Sequence, residues 1–335
     1  MQALILVGGY GTRLKPLSDR LPKPLISFCG KPMVEWQIES LVKVGVRRIV
    51  LAIGYKEHLM KDFVREMTSK YQIEIFCSVE KEPLNTGGPI KLAENLLSSK
   101  EHEDFFVLNS DVIGEFPFLE MLAFHRSHKA MSTILTFEVE DTSRYGVISI
   151  DQKTNRVLDF MEKPLFATSK LINAGIYIFS NEVFKAIELK SFSLEKELFP
   201  RLCENGQIYS FPLLGFWKDL GIPKDFIEGT RLILDHLSLQ GIDRLNDYTL
   251  VNNNGPFVGL NLVHKTSKFS NDCTIGPYCV LNENTSVGQG CTIASSILMK
   301  NSSIGDNTSI VNSIIPEDES IKPSSLLKDQ IVIST

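Results

Sequence analysis

From Phe257 onward the chain repeats every six residues, a period that leaves little freedom of fold. Phe257, Val263, Phe269, Ile275, Leu281, Val287 and Ile293 stand six apart, and Leu298, Ile304 and Ile310 continue the step after one five-residue slip. Glycine follows the anchor at Gly276, Gly288 and Gly305, and four positions after successive anchors stand Ser267, Cys273, Cys279, Thr285 and Cys291. Neither the 3.6-residue period of a helix nor the two-residue period of a long strand fits. A six-residue step is that of a parallel β-helix, with three short strands per coil and one apolar side chain per strand pointing inward. About four coils fit this stretch. The slot four positions on wants a small side chain, which accounts for three of the six cysteines by packing rather than redox chemistry. The final stretch, 316–335, loses the regularity and is expected to cap the coils or pack back on them.

The first two-thirds alternates differently. An apolar run, 3–7, ends in Gly8-Gly9-Tyr10-Gly11-Thr12-Arg13-Leu14, and Pro22-Lys23-Pro24 follows. Up to Lys31 this segment carries five basic residues (Arg13, Lys15, Arg20, Lys23, Lys31) and one acid, Asp19. The reading is a buried strand opening into a loop that holds phosphates, because glycines let backbone N–H groups approach an anion closely. Arg13 can fork onto phosphate oxygens, and Lys23, fixed by two prolines, is a point charge. The Walker and dinucleotide-binding glycine spacings are both absent. Beyond the loop, apolar spacing predicts a helix over 33–44, a strand over 48–53, a helix over 57–70 and a strand over 73–79. A helix over 89–98 and a strand over 104–108 follow. This order implies parallel pairing in a doubly wound sheet, with ligands at the carboxyl ends of the strands: 8–12, 80–88 and 109–111. After a helix over 118–128, strands over 133–139, 146–150, 157–160 and 171–179 have hairpin-length connections and are expected to add antiparallel. Helices over 194–204 and from Pro223 to about Leu239 complete this part. The composition shift near residue 250 divides the chain into a domain over 1–240 and a hexapeptide-repeat domain over 241–335.

Composition narrows the function classes. The 335 residues are 43% hydrophobic and 22% charged, with a net charge of −5. That is an ordinary globular balance, and it argues against nucleic-acid or membrane-surface partners. No apolar run approaches the roughly 20 residues of a membrane span. No signal-peptide pattern opens the chain, so a cytoplasmic protein with reduced thiols is expected. The Asn284, Asn301 and Asn307 sequons matter only in a secreted protein. His125 and His128 lack acidic or cysteine partners nearby in sequence and read as a solvated helix end rather than a metal site.

The segments LILVGGYGTRLKPL, EKEPLNTGGP, FFVLNSDVI, KLINAGIY and GFWKDLGIPKDF resemble the sugar-nucleotide pyrophosphorylases along the whole chain. Within that superfamily they are most similar to the eukaryotic-type mannose-1-phosphate guanylyltransferases, on the catalytic β side. The resemblance implies an α/β fold: a Rossmann-like doubly wound nucleotidyltransferase domain followed by a left-handed parallel β-helix. It implies transfer of a guanylyl group from GTP to mannose 1-phosphate, with Mg²⁺ as cofactor and Asp111 and Asp219 as its ligands. It assigns nucleotide contacts to Leu6, Gly8, Gly9, Gly11, Thr12, Arg13, Lys23, Leu84, Asn85, Gly88 and Asp111, the base met by backbone groups of Leu84 and Gly88. It assigns the sugar phosphate to Gly146, Glu162, Lys163, Asn173 and Gly175, and catalysis to Arg13, Lys23 and Lys163. A homo-oligomer through the β-helix and a regulatory paralogous subunit are the partners it implies. One departure stands out: the family's Gly-Thr-Ala-Gly is here Asn85-Thr86-Gly87-Gly88, where asparagine can hold a left-handed backbone. The solenoid also looks shorter than the family's. Three other readings stay open on the residues: another NTP with glucose 1-phosphate, a non-catalytic regulatory subunit, and a hexapeptide acyltransferase. The charged set Arg13, Lys23, Asp111, Lys163 and Asp219 favours an enzyme over a regulatory subunit. The acyltransferase lacks an evident catalytic histidine, His264 being the one within the repeat.

Overall fold

A computed structural model describes residues 1–9, 11–54, 57–97 and 104–332. Tyr10 of the glycine-rich loop, the Ser98 end of the expected third helix and the last three residues of the tail lie outside the described residues. The chain forms two compact units, 1–10 with 34–217, and 11–33 with 218–335.

The first unit is built on a nine-stranded sheet. Its strands are β1 (Gln2–Leu6), β2 (Arg48–Ile53), β3 (Glu74–Val79), β4 (Phe105–Asn109), β5 (Ser132–Glu138), β6 (Gly146–Ile150), β7 (Val157–Glu162), β8 (Leu171–Phe179) and β9 (Ile208–Pro212). The spatial order is β7-β6-β8-β4-β1-β2-β3, with β5 also on β8 and β9 on β5. Strands β3, β2, β1 and β4 run parallel; β1, β2 and β4 are near-continuous apolar runs covered on both faces, and β3 is the half-exposed edge. The order reverses between β1 and β4, so the switch-point crevice of an open α/β sheet lies where Gly8 and Asp111 emerge. Strand β8 turns antiparallel on β4, and β6 and β7 follow it. The exception is β9, which runs parallel to β5 and which the sequence reading passed over, its five residues ending in a proline. The core beneath holds Leu4, Val50, Phe105, Val107, Tyr177 and Phe199, all essentially without exposure. Two helices differ from expectation. The stretch from Gly88 breaks at Ala93 into Gly88–Leu92 and Glu94–Leu97. The helix over 194–204 opens with a wide turn, Leu194–Leu198, before Phe199–Glu204.

In the second unit the short strands stack into three parallel ladders, the arrangement of a left-handed parallel β-helix. Every anchor from Phe257 to Ile310 belongs to one apolar cluster. The five-residue slip is not a single event. Leu281 pairs with Leu298 and Leu298 with Ile315, seventeen residues per coil, where Val263 to Leu281 takes eighteen. The regularity therefore persists past Pro316: Ile321 and Leu327 keep the six-residue step, and their strands pair onto the preceding coil. The expectation of an irregular cap over 316–335 fails for the described part, because the recurring slip hides the later anchors from a strict six-residue count. The small slots work as expected. The Cys273, Cys279 and Cys291 thiols are free and reach the Gly288, Ile293 and Gly305 carbonyls of the next coil at 2.9, 3.4 and 3.2 Å. At one corner, Asn284, Asn301 and Asp318 take left-handed backbones and join side chain to side chain, and Arg20 closes the row on Asp318 at 2.7 Å. The segment 11–33 is held to this unit by Phe28, whose ring meets Phe226 edge-on at 5.0 Å, and by Gly30, where a Cβ would stand 2.9 Å from the Tyr248 ring. Among the described residues no helix is long and apolar enough to cross a membrane.

Candidate active site

In the first unit the carboxyl ends of β1, β2 and β3 converge on small residues. A Cβ on Gly8 would lie 3.2 Å from Glu80 Oε1, and one on Gly54 would lie 3.2 Å from the Gly8 carbonyl. Gly9 is exposed and a Cβ there would meet no protein atom within 4 Å, so packing does not demand that glycine. The Leu6 carbonyl accepts from Ser110 N–H, which ties the ends of β1 and β4 together. Gln37, on the helix Met33–Lys43, donates to the carbonyls of Asn109 and Val112 at 2.7 and 2.9 Å and so fixes the turn that presents Asp111. Sequence reading did not single out Gln37; a buried amide on an otherwise apolar helix face was its only signal.

The loop over 80–88 is shaped by its own bonds. The Leu84 N–H donates to Glu80 Oε2 at 2.9 Å, and the Leu84 carbonyl accepts from Phe192 N–H. Gly87 and Gly88 both donate to the Phe192 carbonyl, and Thr86 Oγ1 donates to Glu195 at 2.6 Å. The backbone groups of Leu84 and the Gly88 N–H are thus already bonded within the fold. The half-buried Glu80 carboxylate stands at the start of the loop beside Gly8; burial raises its pKa and the Leu84 N–H partly restores it. Asn85 takes φ 65, the left-handed conformation that the departure from a family glycine requires. Gly87, standing where the family has alanine, leaves no room for one: a Cβ would sit 2.7 Å from the Phe192 ring.

A second group in this unit gathers on β6, β7 and β8. A Cβ on Gly146 would meet the Phe160 ring at 2.6 Å and Glu162 Oε2 at 3.1 Å. Lys163 adopts φ 45, a strained backbone of the kind that collects at functional sites, and its ammonium pairs with Glu162 at 3.0 Å. Gly175 takes φ 76 where β8 slips register on β5, and its N–H donates to Asn173 Oδ1 at 2.9 Å.

The second unit brings Gly11, Arg13, Lys23 and Asp219 together. Gly11 takes φ 64 and would press a Cβ against Lys23 Cβ at 3.0 Å, while its carbonyl accepts from Ser18 Oγ. Lys23 is only 7% exposed, so its stem forms the loop's floor. Thr12 is exposed beside it. A Cβ on Gly221 would lie 3.0 Å from Asp219 Oδ1 and 3.3 Å from Arg13 Nη2, so carboxylate and guanidinium face the same small residue. Lys218, next in sequence, is committed elsewhere, to Asp225 at 3.1 Å and to Glu228.

Among the described residues no group of three or more His, Cys, Asp and Glu side chains is placed to hold a metal. His125 and His128 are not a solvated helix end either. His125 is 2% exposed, both rings bond the Thr133 hydroxyl at 2.8 Å, and His128 stacks on Tyr209. Strand β5 supplies Thr133, a tertiary partner that spacing along the helix could not reveal.

Residues 2–236 match the nucleotidyl transferase family model, and residues 257–335 match the model of the GMPPB C-terminal domain. The chain is 44% identical over 298 residues to mannose-1-phosphate guanylyltransferase 1 of Arabidopsis thaliana, covering 89% of this chain and 79% of that one. It is 46% identical over 275 residues to the zebrafish (Danio rerio) mannose-1-phosphate guanylyltransferase catalytic subunit beta, covering 82% of this chain and 74% of the relative. Among solved structures, HddC from Yersinia pseudotuberculosis, complexed with GMP-PN, superposes with a TM-score of 0.58 at 32% identity, over 68% of this chain and 96% of that one. The chain belongs to the mannose-1-phosphate guanylyltransferases, within the nucleotidyltransferase family.

Proposed function

We propose that the protein joins GTP and mannose 1-phosphate to give GDP-mannose and diphosphate, and that the residues described above carry the reaction. An oxygen of the sugar 1-phosphate attacks the α-phosphorus and diphosphate leaves in line. The nucleophile is already an anion, so no proton-abstracting side chain is required. The barrier is the repulsion of two polyanions, which cations lower by neutralising charge and fixing the approach. The backbone of Gly8, Gly9, Gly11 and Thr12, with Leu6 behind it, cradles the triphosphate. Arg13 forks onto its oxygens and Lys23 faces the reacting phosphate. Lys163 neutralises the sugar phosphate, Glu162 and Asn173 bind sugar hydroxyls, and Gly146 and Gly175 leave the room. Leu84, Asn85 and Gly88 shape the base loop.

The base is read by Glu80. Guanine presents two adjacent N–H donors on its pairing edge, and a carboxylate is acceptor-only, so the two match. Uracil, thymine and adenine each place an acceptor in that pattern. The observation that carries the whole reading is a complete charged set, Arg13, Lys23, Asp111, Lys163 and Asp219, in a chain of this family.

Nucleotidyltransferases of this family work with a divalent metal. Asp111 and Asp219 each offer hard carboxylate oxygens, the donor type that Mg²⁺ takes one or two at a time beside phosphate and water, and by that chemistry each suits the ion. When bound, Mg²⁺ supplies charge neutralisation on the phosphates. We assign a catalytic domain to 1–240 and a β-helix domain to 241–335. The β-helix serves as the surface for a homo-oligomer or for a regulatory paralogue, in the cytoplasm. The test is diphosphate release by purified Asp111→Ala and Lys163→Ala. Turnover should drop by orders of magnitude with the thermal transition retained, and wild-type turnover in both would overturn the assignment.

A further inference from the structure

Asn173 sits at a break in the sheet. Strand β8 pairs regularly with β5 up to Asn173 and again from Tyr177, with a register shift between them. Such irregularities re-aim a side chain, and they cost the local ladder its bonds, so something else must fix the re-aimed group. Two groups do so here. Gly175 N–H donates to Asn173 Oδ1 at 2.9 Å, and Asn173 Nδ2 donates to the Tyr177 hydroxyl at 2.8 Å.

Among the described residues Tyr177 is the largest fully buried side chain, at 0% exposure. Its ring lies among Phe179 and Phe199, with centroids at 5.9 and 5.2 Å. An apolar ring would fill this space equally well, so the hydroxyl is a polar atom placed in a core with a specific use. That use is local. The hydroxyl accepts from the Asn173 amide, and Asn109, two residues before Asp111, packs where a Cβ of Gly175 would lie 2.8 Å from its Nδ2. Burial, with Glu195 and Glu162 nearby, pushes the phenol's pKa well above its usual value, so it stays neutral throughout the working range.

We propose that Tyr177 is a positioning residue for the sugar phosphate: its buried hydroxyl locks the Asn173 amide in one orientation at the sheet irregularity. The amide has four hydrogen-bonding positions, two N–H and two lone pairs. The Gly175 N–H and the Tyr177 hydroxyl take one of each, and the remaining N–H and lone pair point one way, toward hydroxyls of one configuration. Without the Tyr177 hydroxyl the Gly175 N–H alone holds the amide, which can then swing about that one bond and lose the aim of its remaining N–H and lone pair. This inference rests on the assignment of Asn173 to the sugar.

The test uses Tyr177→Phe, which keeps the ring and its packing. The KM for mannose 1-phosphate should rise about five- to tenfold, the worth of one hydrogen bond, with the KM for GTP unchanged. Asn173→Ala should raise the same KM by at least as much. The double variant should be no worse than Asn173→Ala alone, because Tyr177 acts only through that amide. Unchanged KM in Tyr177→Phe with a raised KM in Asn173→Ala overturns the positioning role and leaves the sugar assignment standing. Unchanged KM in Asn173→Ala overturns both. Additive losses in the double variant, or a lowered thermal transition with equal changes in both KM values, would make Tyr177 a structural residue only.

Discussion

Replacing Glu80 by glutamine removes one oxygen's charge and almost no volume. Its consequence follows from the loop geometry. Oε2 accepts the Leu84 N–H at 2.9 Å, a bond that the glutamine carbonyl can keep, so the loop should hold its shape. The other oxygen, which in glutamate faces Gly8, becomes an amino group that presents hydrogens to guanine's own N–H donors. One charge-assisted hydrogen bond is lost, worth about 1.5–3 kcal/mol, and kcat/KM for GTP should fall roughly 10- to 150-fold. ATP and UTP should lose far less, so the preference for GTP narrows by nearly the same factor. A pH signature accompanies it. Burial raises the Glu80 pKa, so the wild-type carboxylate takes up its proton at a higher pH than an exposed one, and kcat/KM for GTP should decline on the acid side. The variant should lack that limb. The assay is coupled diphosphate release with each nucleotide over a pH series. Equal losses for all nucleotides, or an unchanged preference for GTP, would refute guanine reading by this carboxylate.

Asn85 holds φ 65, so Asn85→Gly should be neutral within a few tenths of a kcal/mol, whereas Asn85→Ala should cost about 1 kcal/mol in thermal or denaturant unfolding. His128 has its pKa lowered from 6.5 to about 4, first by burial and then by His125. Below pH 6.5 the unfolded chain therefore binds a proton that the folded chain refuses, and stability should fall as pH drops from about 6.5 toward about 4, then level off. His128→Gln should flatten that slope in a pH series of thermal transitions.

Much of this architecture was legible because periodic patterns report burial directly. The strands expected over 3–7, 48–53 and 104–108 became the parallel centre of the sheet, and the hexapeptide anchors became the solenoid core. What escaped depends on partners distant in sequence. The recurring five-residue slip is visible only once coils are aligned, since Ile315 and Val332 follow Leu298 at seventeen-residue intervals that an unbroken six-residue count misses. Strand β9 is five residues long and owes its place to β5. Within the site, the motifs located the charged residues, but not the groups that hold them. Gln37 under the Asp111 turn and Tyr177 behind Asn173 each act through a bond that only folding creates, and Glu80 comes beside Gly8 only in the folded chain. The asparagine departure at 85 is the reverse case. Local conformational chemistry alone said the loop could survive, and its backbone angle agrees.

The choice of donor nucleotide and acceptor sugar is open to a single direct measurement. The purified protein is given GTP, ATP, UTP or dTTP with mannose 1-phosphate or glucose 1-phosphate, and diphosphate release is followed while the sugar nucleotide is identified by mass. The highest kcat/KM is expected for GTP with mannose 1-phosphate, with GDP-mannose as the product. A higher value for a pyrimidine nucleotide with glucose 1-phosphate, or no release from any pair, would contradict it.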